Sequence, residues 1–242
     1  MAIRAENISK RYFRATGPSN NFLAVQPADV AIPDGSLTVL LGRSGSGKTT
    51  LLNILSGLLT PTTGKVFLDD IDLYALPDEG LCAVRGRRMG VIPQGRAALD
   101  TLTVMENILL PRVLQDKGLA KRQKTADGTQ DVAEIAELLL NRLGIGHLRS
   151  AMPGELSGGE LRRMSIARAL AQQPDVILAD EPTGDLDDES TKTVLGLLRD
   201  AANGGAAVLL VTHETDALAY ADAVYRLNNG ELFPTDIKME IN

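Results

Sequence analysis

Leu37-Thr38-Val39-Leu40-Leu41-Gly42-Arg43-Ser44-Gly45-Ser46-Gly47-Lys48-Thr49-Thr50 is the stretch on which the reading of this chain turns. An apolar run of strand length, 37–41, meets the pattern GxxxxGK[ST] at 42–49, and residues 51–59 read as the helix that follows. Its three glycines let consecutive backbone N–H groups turn inward as an anion nest. The helix N-terminus behind them adds its partial positive charge. Lys48 supplies a point charge for the outer phosphates, and the Thr49 hydroxyl suits Mg²⁺. Gly42, Arg43, Ser44, Gly45, Ser46, Gly47, Lys48, Thr49 and Thr50 are therefore the expected phosphate-binding set. Taken alone, the motif would equally serve a small-molecule kinase or a GTPase.

Outward from this stretch, short apolar runs alternate with amphipathic segments, the signature of an α/β fold. Strands are expected at 37–41, 89–92, 175–179, 207–211 and 224–227. Before and after the glycine loop, 3–8, 24–32 and 65–68 read as strands joined by turns without helices. An antiparallel layer beside a mostly parallel sheet follows from that. Residues from about 95 to 165 read as a helical subdomain inserted into one domain spanning 1–242. Within it Asp131 is a helix cap, Val132, Ile135, Leu138, Leu139 and Leu143 form the apolar stripe, and Gly144 is the stop. The polar stretch 121–130 reads as a solvated loop or helix end.

Composition narrows the function classes. The 242 residues carry 25 basic against 31 acidic side chains, net −6, which argues against a chain built to grip nucleic-acid phosphates. A lone Cys82 rules out an internal disulfide or a multi-cysteine metal site and points to a reducing compartment. The N-terminal stretch lacks an apolar core of signal-peptide length, and no run approaches the ~20 residues of a membrane span. Service at a membrane would need another polypeptide to do the spanning.

Two further stretches carry chemistry. The apolar run 176–179 ends in Asp180-Glu181-Pro182, which puts two carboxylates at the sheet edge where doubly wound folds bind ligands. Asp180 is the natural Mg²⁺ partner of Thr49, through a bound water. Glu181, aimed elsewhere by strand alternation, is suited to orienting an attacking water. Leu156-Ser157-Gly158-Gly159-Glu160 opens a helix running from 160 to about 171. Ser157 and Glu160 make a capping box. A cap alone does not call for two glycines in the first turn, each costing ~1 kcal/mol against alanine. An anion approaching Gly158 and Gly159 would explain them.

A glycine phosphate loop, Gln94 after a strand, LSGGE at 156–160, VILADEPTGDLD at 176–187 and VTHE at 211–214, in that order, resemble the nucleotide-binding subunit of ATP-binding-cassette (ABC) transporters. The resemblance spans essentially the whole chain. It implies the ABC ATPase fold, ATP and Mg²⁺ as ligands, and ATP hydrolysis coupled to transport. Catalysis would fall to Glu181, His213 and Lys48, with Thr49, Gln94 and Asp180 around the metal. Tyr12 would stack on adenine. The resemblance also implies head-to-tail pairing with a second such ATPase, a second copy of this chain being the expected partner. Ser157, Gly158 and Gly159 would then face the other chain's ATP, and Asp185 and Asp187 would lie in the loop crossing between the two. An integral-membrane permease is the other implied partner, which puts the chain at the cytoplasmic face of the cell membrane without a transmembrane segment of its own. His147 lacks any such context and reads as a surface residue.

The segments 181–187 and Glu106-Asn107-Ile108-Leu109-Leu110-Pro111 further resemble the group of lipoprotein-release, macrolide-export and FtsE-like cell-division ATPases, whose permeases have few transmembrane helices. Leu109-Leu110-Pro111 can also be read as a helix turn and a break. Two departures stand out: Asp185 where the group usually has Asn, and Gly95-Arg96 where it often has an aromatic or Asn-rich stretch. The alternative function is a soluble ABC ATPase of a scaffold-assembly complex that needs no permease. A DNA-maintenance ATPase would need heptads or paired cysteines, which the sequence lacks.

Overall fold

The computed structural model describes residues 2–13, 21–95, 97–119 and 131–236. The stretch 121–130 lies outside them. In chain order the elements are β1 (Ile3–Phe13), β2 (Asn21–Ile32), β3 (Leu37–Leu41), α1 (Lys48–Leu55), β4 (Thr63–Leu68), β5 (Ile71–Asp72), α2 (Asp78–Arg88), β6 (Met89–Ile92) and α3 (Val104–Leu119). They continue with α4 (Val132–Arg142), α5 (Gly158–Leu170), β7 (Val176–Asp180), α6 (Asp188–Asn203), β8 (Ala207–Thr212), β9 (Ala223–Asn228) and β10 (Glu231–Thr235).

Two sheets form. One is the antiparallel layer β2-β1-β4-β5. The other runs β10-β9-β3-β8-β7-β6, parallel except for the antiparallel β10 at its edge. Every residue of β3, β7 and β8 is buried, as expected of parallel strands covered on both faces. Alternation divides them between two cores. Val39, Leu41, Ile177, Ala179, Val208 and Leu210 join the apolar faces of α3 to α6, whereas Leu40, Leu178, Leu209 and Val211 pack with α1 and the antiparallel layer.

The register matters for function. Leu41 lies beside Thr212, Asp180 beside Val211, and Ile92 beside Ala179. Because these strands are parallel, the loops after β3, β6, β7 and β8 all leave from one edge of the sheet.

The structure moves several expected boundaries. Helix α1 begins at Lys48 and stops at Leu55, where Gly57 at φ +69° turns the chain; the expected helix was 51–59. Helix α2 has no buried residue, so the sequence carried no apolar stripe to announce it. Helix α3 continues through Pro111 to Leu119, so Leu109-Leu110-Pro111 is not a helix end. A Thr103–Glu106 capping box starts α3. Asp131 does cap α4, accepting from the Ala133 amide, and Gly144 at φ +71° does close it. Helix α5 starts two residues earlier than expected, at Gly158, and His147 is exposed. Strand β10 was not anticipated; its segment holds Pro234, which only an edge strand tolerates well.

Candidate functional site

The loop 42–47 is shaped by backbone approach. A Cβ on Gly47, whose φ is +107°, would sit 2.1 Å from the Ala24 carbonyl oxygen of β2, and one on Gly42 would sit 2.6 Å from the Leu227 carbonyl oxygen. The β9–β10 turn braces the loop from outside, with the Gly230 amide donating to the Ser46 carbonyl at 3.0 Å. Helix α1 has no side-chain cap and no acidic residue in its first turn, which leaves its amide groups and dipole open to an anion. The buried Ser46 hydroxyl finds no hydrogen-bond partner among the described residues. Lys48 donates to the Gly42 carbonyl at 2.6 Å and lies 3.6 Å from Glu181.

Strand β7 delivers the carboxylates. Thr49 Oγ1 donates to Asp180 Oδ2 at 2.7 Å, which sets the two expected metal-side groups next to each other. Burial pushes the Asp180 carboxyl above its ordinary range, opposed by the Thr49 hydrogen bond and reinforced by the neighbouring Glu181 charge. Its other oxygen, Oδ1, is buried with no partner among the described residues. An orphaned carboxylate oxygen beside a hydroxyl is a hard, all-oxygen donor set that fits Mg²⁺. Among the described residues no cluster of three or more His, Cys, Asp or Glu could hold a metal alone, so phosphate oxygens would have to complete the shell.

Glu181 is aimed by a backbone kink and not by strand alternation. Its φ of +49° is left-handed, a strained choice for a residue with a side chain. The kink is held by the Glu181 amide donating to the Val211 carbonyl at 2.8 Å. The carboxylate, 10% exposed, then meets Thr212 Oγ1 at 3.3 Å and His213 Nδ1 at 2.9 and 3.0 Å. A proton on Nδ1 closes that contact and turns the other ring nitrogen away from the carboxylate. The His213 side chain is 65% exposed, so the ring remains open to a ligand. Thr183, buried, donates to Glu214 at 2.6 Å and ties the loop after Glu181 to the one carrying His213.

These groups line one open cavity of about 1190 Å³. Tyr12, residues 43–50, Gln94, Asp180, Glu181 and His213 all reach it; Gly42 shapes its floor without lining it. Tyr12 lines it stacked on Phe22, with ring centroids 5.6 Å apart. Ser157, Gly158 and Gly159 do not line it. The capping box at the start of α5 is present: the Ser157 amide donates to Glu160 at 2.8 Å and the Glu160 amide to Ser157 Oγ at 3.4 Å. A Cβ on Gly158 would meet nothing within 4 Å, so the chain's own packing does not require glycine there.

Sequence reasoning missed three supports: Thr212, Phe22 and the Asn229-Gly230 turn. Thr212 stood in the VTHE motif and could have been read with His213. Phe22 and Gly230 carry no pattern, because only the folded β2 and β9–β10 segments bring them to the loop.

An anion nest at a helix start, a hydroxyl–carboxylate pair suited to Mg²⁺ and a second, nearly buried carboxylate beside them are the parts of a phosphate-loop nucleotide site. Residues 25–184, more than half of the chain, match the family model described as ABC transporter. The chain is 38% identical over 233 residues to the methionine import ATP-binding protein MetN of Rhizobium meliloti, covering 96% of this chain and 62% of that protein. It is 40% identical over 205 residues to the lipoprotein-releasing system ATP-binding protein LolD of Shewanella sp. strain MR-4, covering 84% of each. Among solved structures, the dimeric bacterial ABC transporter cassette MJ0796 superposes with a TM-score of 0.85 at 30% identity, over 97% of this chain and 98% of that one. The same cassette in a post-hydrolysis state with ADP and Pi also matches with a TM-score of 0.85, at 29% identity. The chain belongs to the ABC transporter ATP-binding family. It has that family's fold and is an ATP-binding, ATP-hydrolysing transporter subunit.

Proposed function

We propose that this chain pairs with a second copy around two ATP molecules and drives a separate integral-membrane permease at the cytoplasmic face of the membrane. One observation carries the reading. The loop 43–50, Gln94, Asp180, Glu181 and His213 converge on one cavity, while Ser157-Gly158-Gly159 stays outside it with open space over Gly158. A helix start that lacks a ligand in its own chain fits a ligand held by another.

On this reading Tyr12 stacks on adenine, the nest and Lys48 hold the phosphates, and Thr49, Gln94 and Asp180 surround Mg²⁺. When bound, the metal offsets charge on the phosphate oxygens. Glu181 orients the attacking water and accepts its proton as the bond to the ADP oxygen breaks, and His213 keeps that carboxylate aimed and contacts the γ-phosphate. Positioning and charge stabilisation supply most of the acceleration. Residues 1–242 act as one ATP-binding domain, with the helical subdomain at about 95–165 passing the motion on. Among the described residues no helix is long and apolar enough to cross a membrane, consistent with a separate permease. The similarity to LolD favours a permease of the few-helix, lipoprotein-release type.

The test is Glu181→Gln. Removing the proton acceptor should slow turnover ~10²–10⁴-fold while ATP affinity is kept and an ATP-dependent dimer accumulates on gel filtration. Near-normal turnover overturns the role given to Glu181. The tagged variant, extracted gently from membranes, should co-purify a permease; soluble partners alone would favour the scaffold-assembly reading.

A further inference from the structure

Helix α5 begins with Ser157-Gly158-Gly159 and then sends two arginines back to the loop that carries Gln94. Arg162 Nη1 donates to the Pro93 carbonyl at 2.6 Å and its Nη2 to the Gln94 carbonyl at 2.7 Å. Arg168, six residues on, donates to the Ala97 carbonyl. A Cβ on Gly95, in the same loop, would meet nothing within 4 Å. The forked guanidinium suits two adjacent carbonyls in a way that a single ammonium does not.

Arg162 sits on a second, smaller cavity of about 220 Å³ that also touches Gln94, Gly158 and Asp185. It does not line the nucleotide cavity. Desolvation works against its charge. The Asp185 carboxylate supports it most, followed by Asp180 and Glu181. Asp185 itself is held at φ +65° in the loop after Glu181. One half-buried cation thus faces three segments: the Gln94 loop, the start of α5 and the loop containing Asp185.

We propose that Arg162 is a positioning residue that fastens the Gln94 loop to α5, so that the chain's contact with its own ATP and its contact with the partner's ATP move as one body. The inference rests on the roles given above to Gln94 and to Ser157–Gly159.

A double-mutant cycle on the full chain tests it, using Arg162→Met, Gln94→Ala and the pair, each over a range of ATP up to saturation with Mg²⁺ in excess. Loss of two short hydrogen bonds from a charged donor should lower kcat in Arg162→Met on the order of tenfold. KM for ATP should stay within about twofold, because Arg162 lies outside the nucleotide cavity. Arg162→Lys, with charge but no fork, should recover part of the loss. If Arg162→Met melts well below the parent, Arg162→Lys takes its place in the cycle. In the Gln94→Ala background the arginine substitution should cost little more, since its effect runs through that loop. Fully additive losses overturn the inference while leaving the role of Gln94 intact. Unchanged turnover in Gln94→Ala alone overturns that role and this inference with it.

Discussion

Gly45 and Gly47 sit two residues apart in the same loop, yet alanine at the two positions should behave very differently. Gly45 has φ +77°, and a Cβ there would meet nothing within 4 Å. Gly45→Ala therefore costs only the left-handed backbone, ~1–2 kcal/mol, partly offset by the ~0.4–1 kcal/mol gained from a less flexible unfolded chain. Gly47 has φ +107°, beyond the region a side chain tolerates, and its Cβ would fall 2.1 Å from the Ala24 carbonyl oxygen. That oxygen belongs to β2, so relief requires shifting a strand and not rotating a side chain. Backbone strain of ~1–3 kcal/mol plus overpacking of ~1–3 kcal/mol gives about 4 kcal/mol. For a chain of this size each kcal/mol moves Tm by roughly 2–4 °C, so Gly47→Ala should melt roughly 8–16 °C lower. Gly45→Ala should stay within a few degrees of the parent. Thermal unfolding of the nucleotide-free chains, followed by circular dichroism, reads the difference. Equal shifts at the two positions would refute the argument that contact with β2, and not loop conformation alone, demands glycine at 47.

Ser157→Arg should abolish turnover while the chain's own nucleotide affinity, read by equilibrium titration, stays within about twofold; loss of the cap should cost only ~1 kcal/mol. Equal loss of affinity and turnover would mean that the segment serves folding. A second prediction concerns acid. Burial draws the Asp222 carboxyl upward, but hydrogen bonds from Arg199 and the Leu37 amide, with the Arg199 charge, bring it below its ordinary value. The folded state then binds fewer protons than the unfolded one, so the contribution is complete above roughly pH 4 and is lost as pH falls through the lowered value. Asp222→Asn should flatten the acid limb of a stability-versus-pH curve between roughly pH 5 and 3; an unchanged limb counts against this clamp on β3.

Most of the nucleotide machinery was legible before folding because it is local. A glycine nest needs its glycines at short fixed spacings, as at 42, 45 and 47, a cap needs Ser157 three residues before Glu160, and a buried parallel strand such as 176–179 is apolar throughout. Helix α2 was not legible, since nothing in it is buried and no stripe results. The break that Leu109-Leu110-Pro111 could also have meant did not form, for a complementary reason. Pro111 removes one amide, but the packing of α3 on α4 and α5 and the buried Asn107 keep the helix in place. Asn107 bonds Leu99 at both amide and carbonyl and also reaches the carbonyls of Leu102 and Thr103.

The chain's order of residues determined which chemistry is present: an anion nest, Lys48, Thr49, two carboxylates, Gln94 and His213. Tertiary structure decided how they are aimed. Parallel pairing of β3, β8, β7 and β6 brings residues more than a hundred positions apart to one sheet edge. The left-handed turn at Glu181 swings its carboxylate to His213, and the reach of Arg162 joins α5 to the Gln94 loop. Strand register and backbone kinks depend on contacts between distant segments, and a linear pattern carries no record of them.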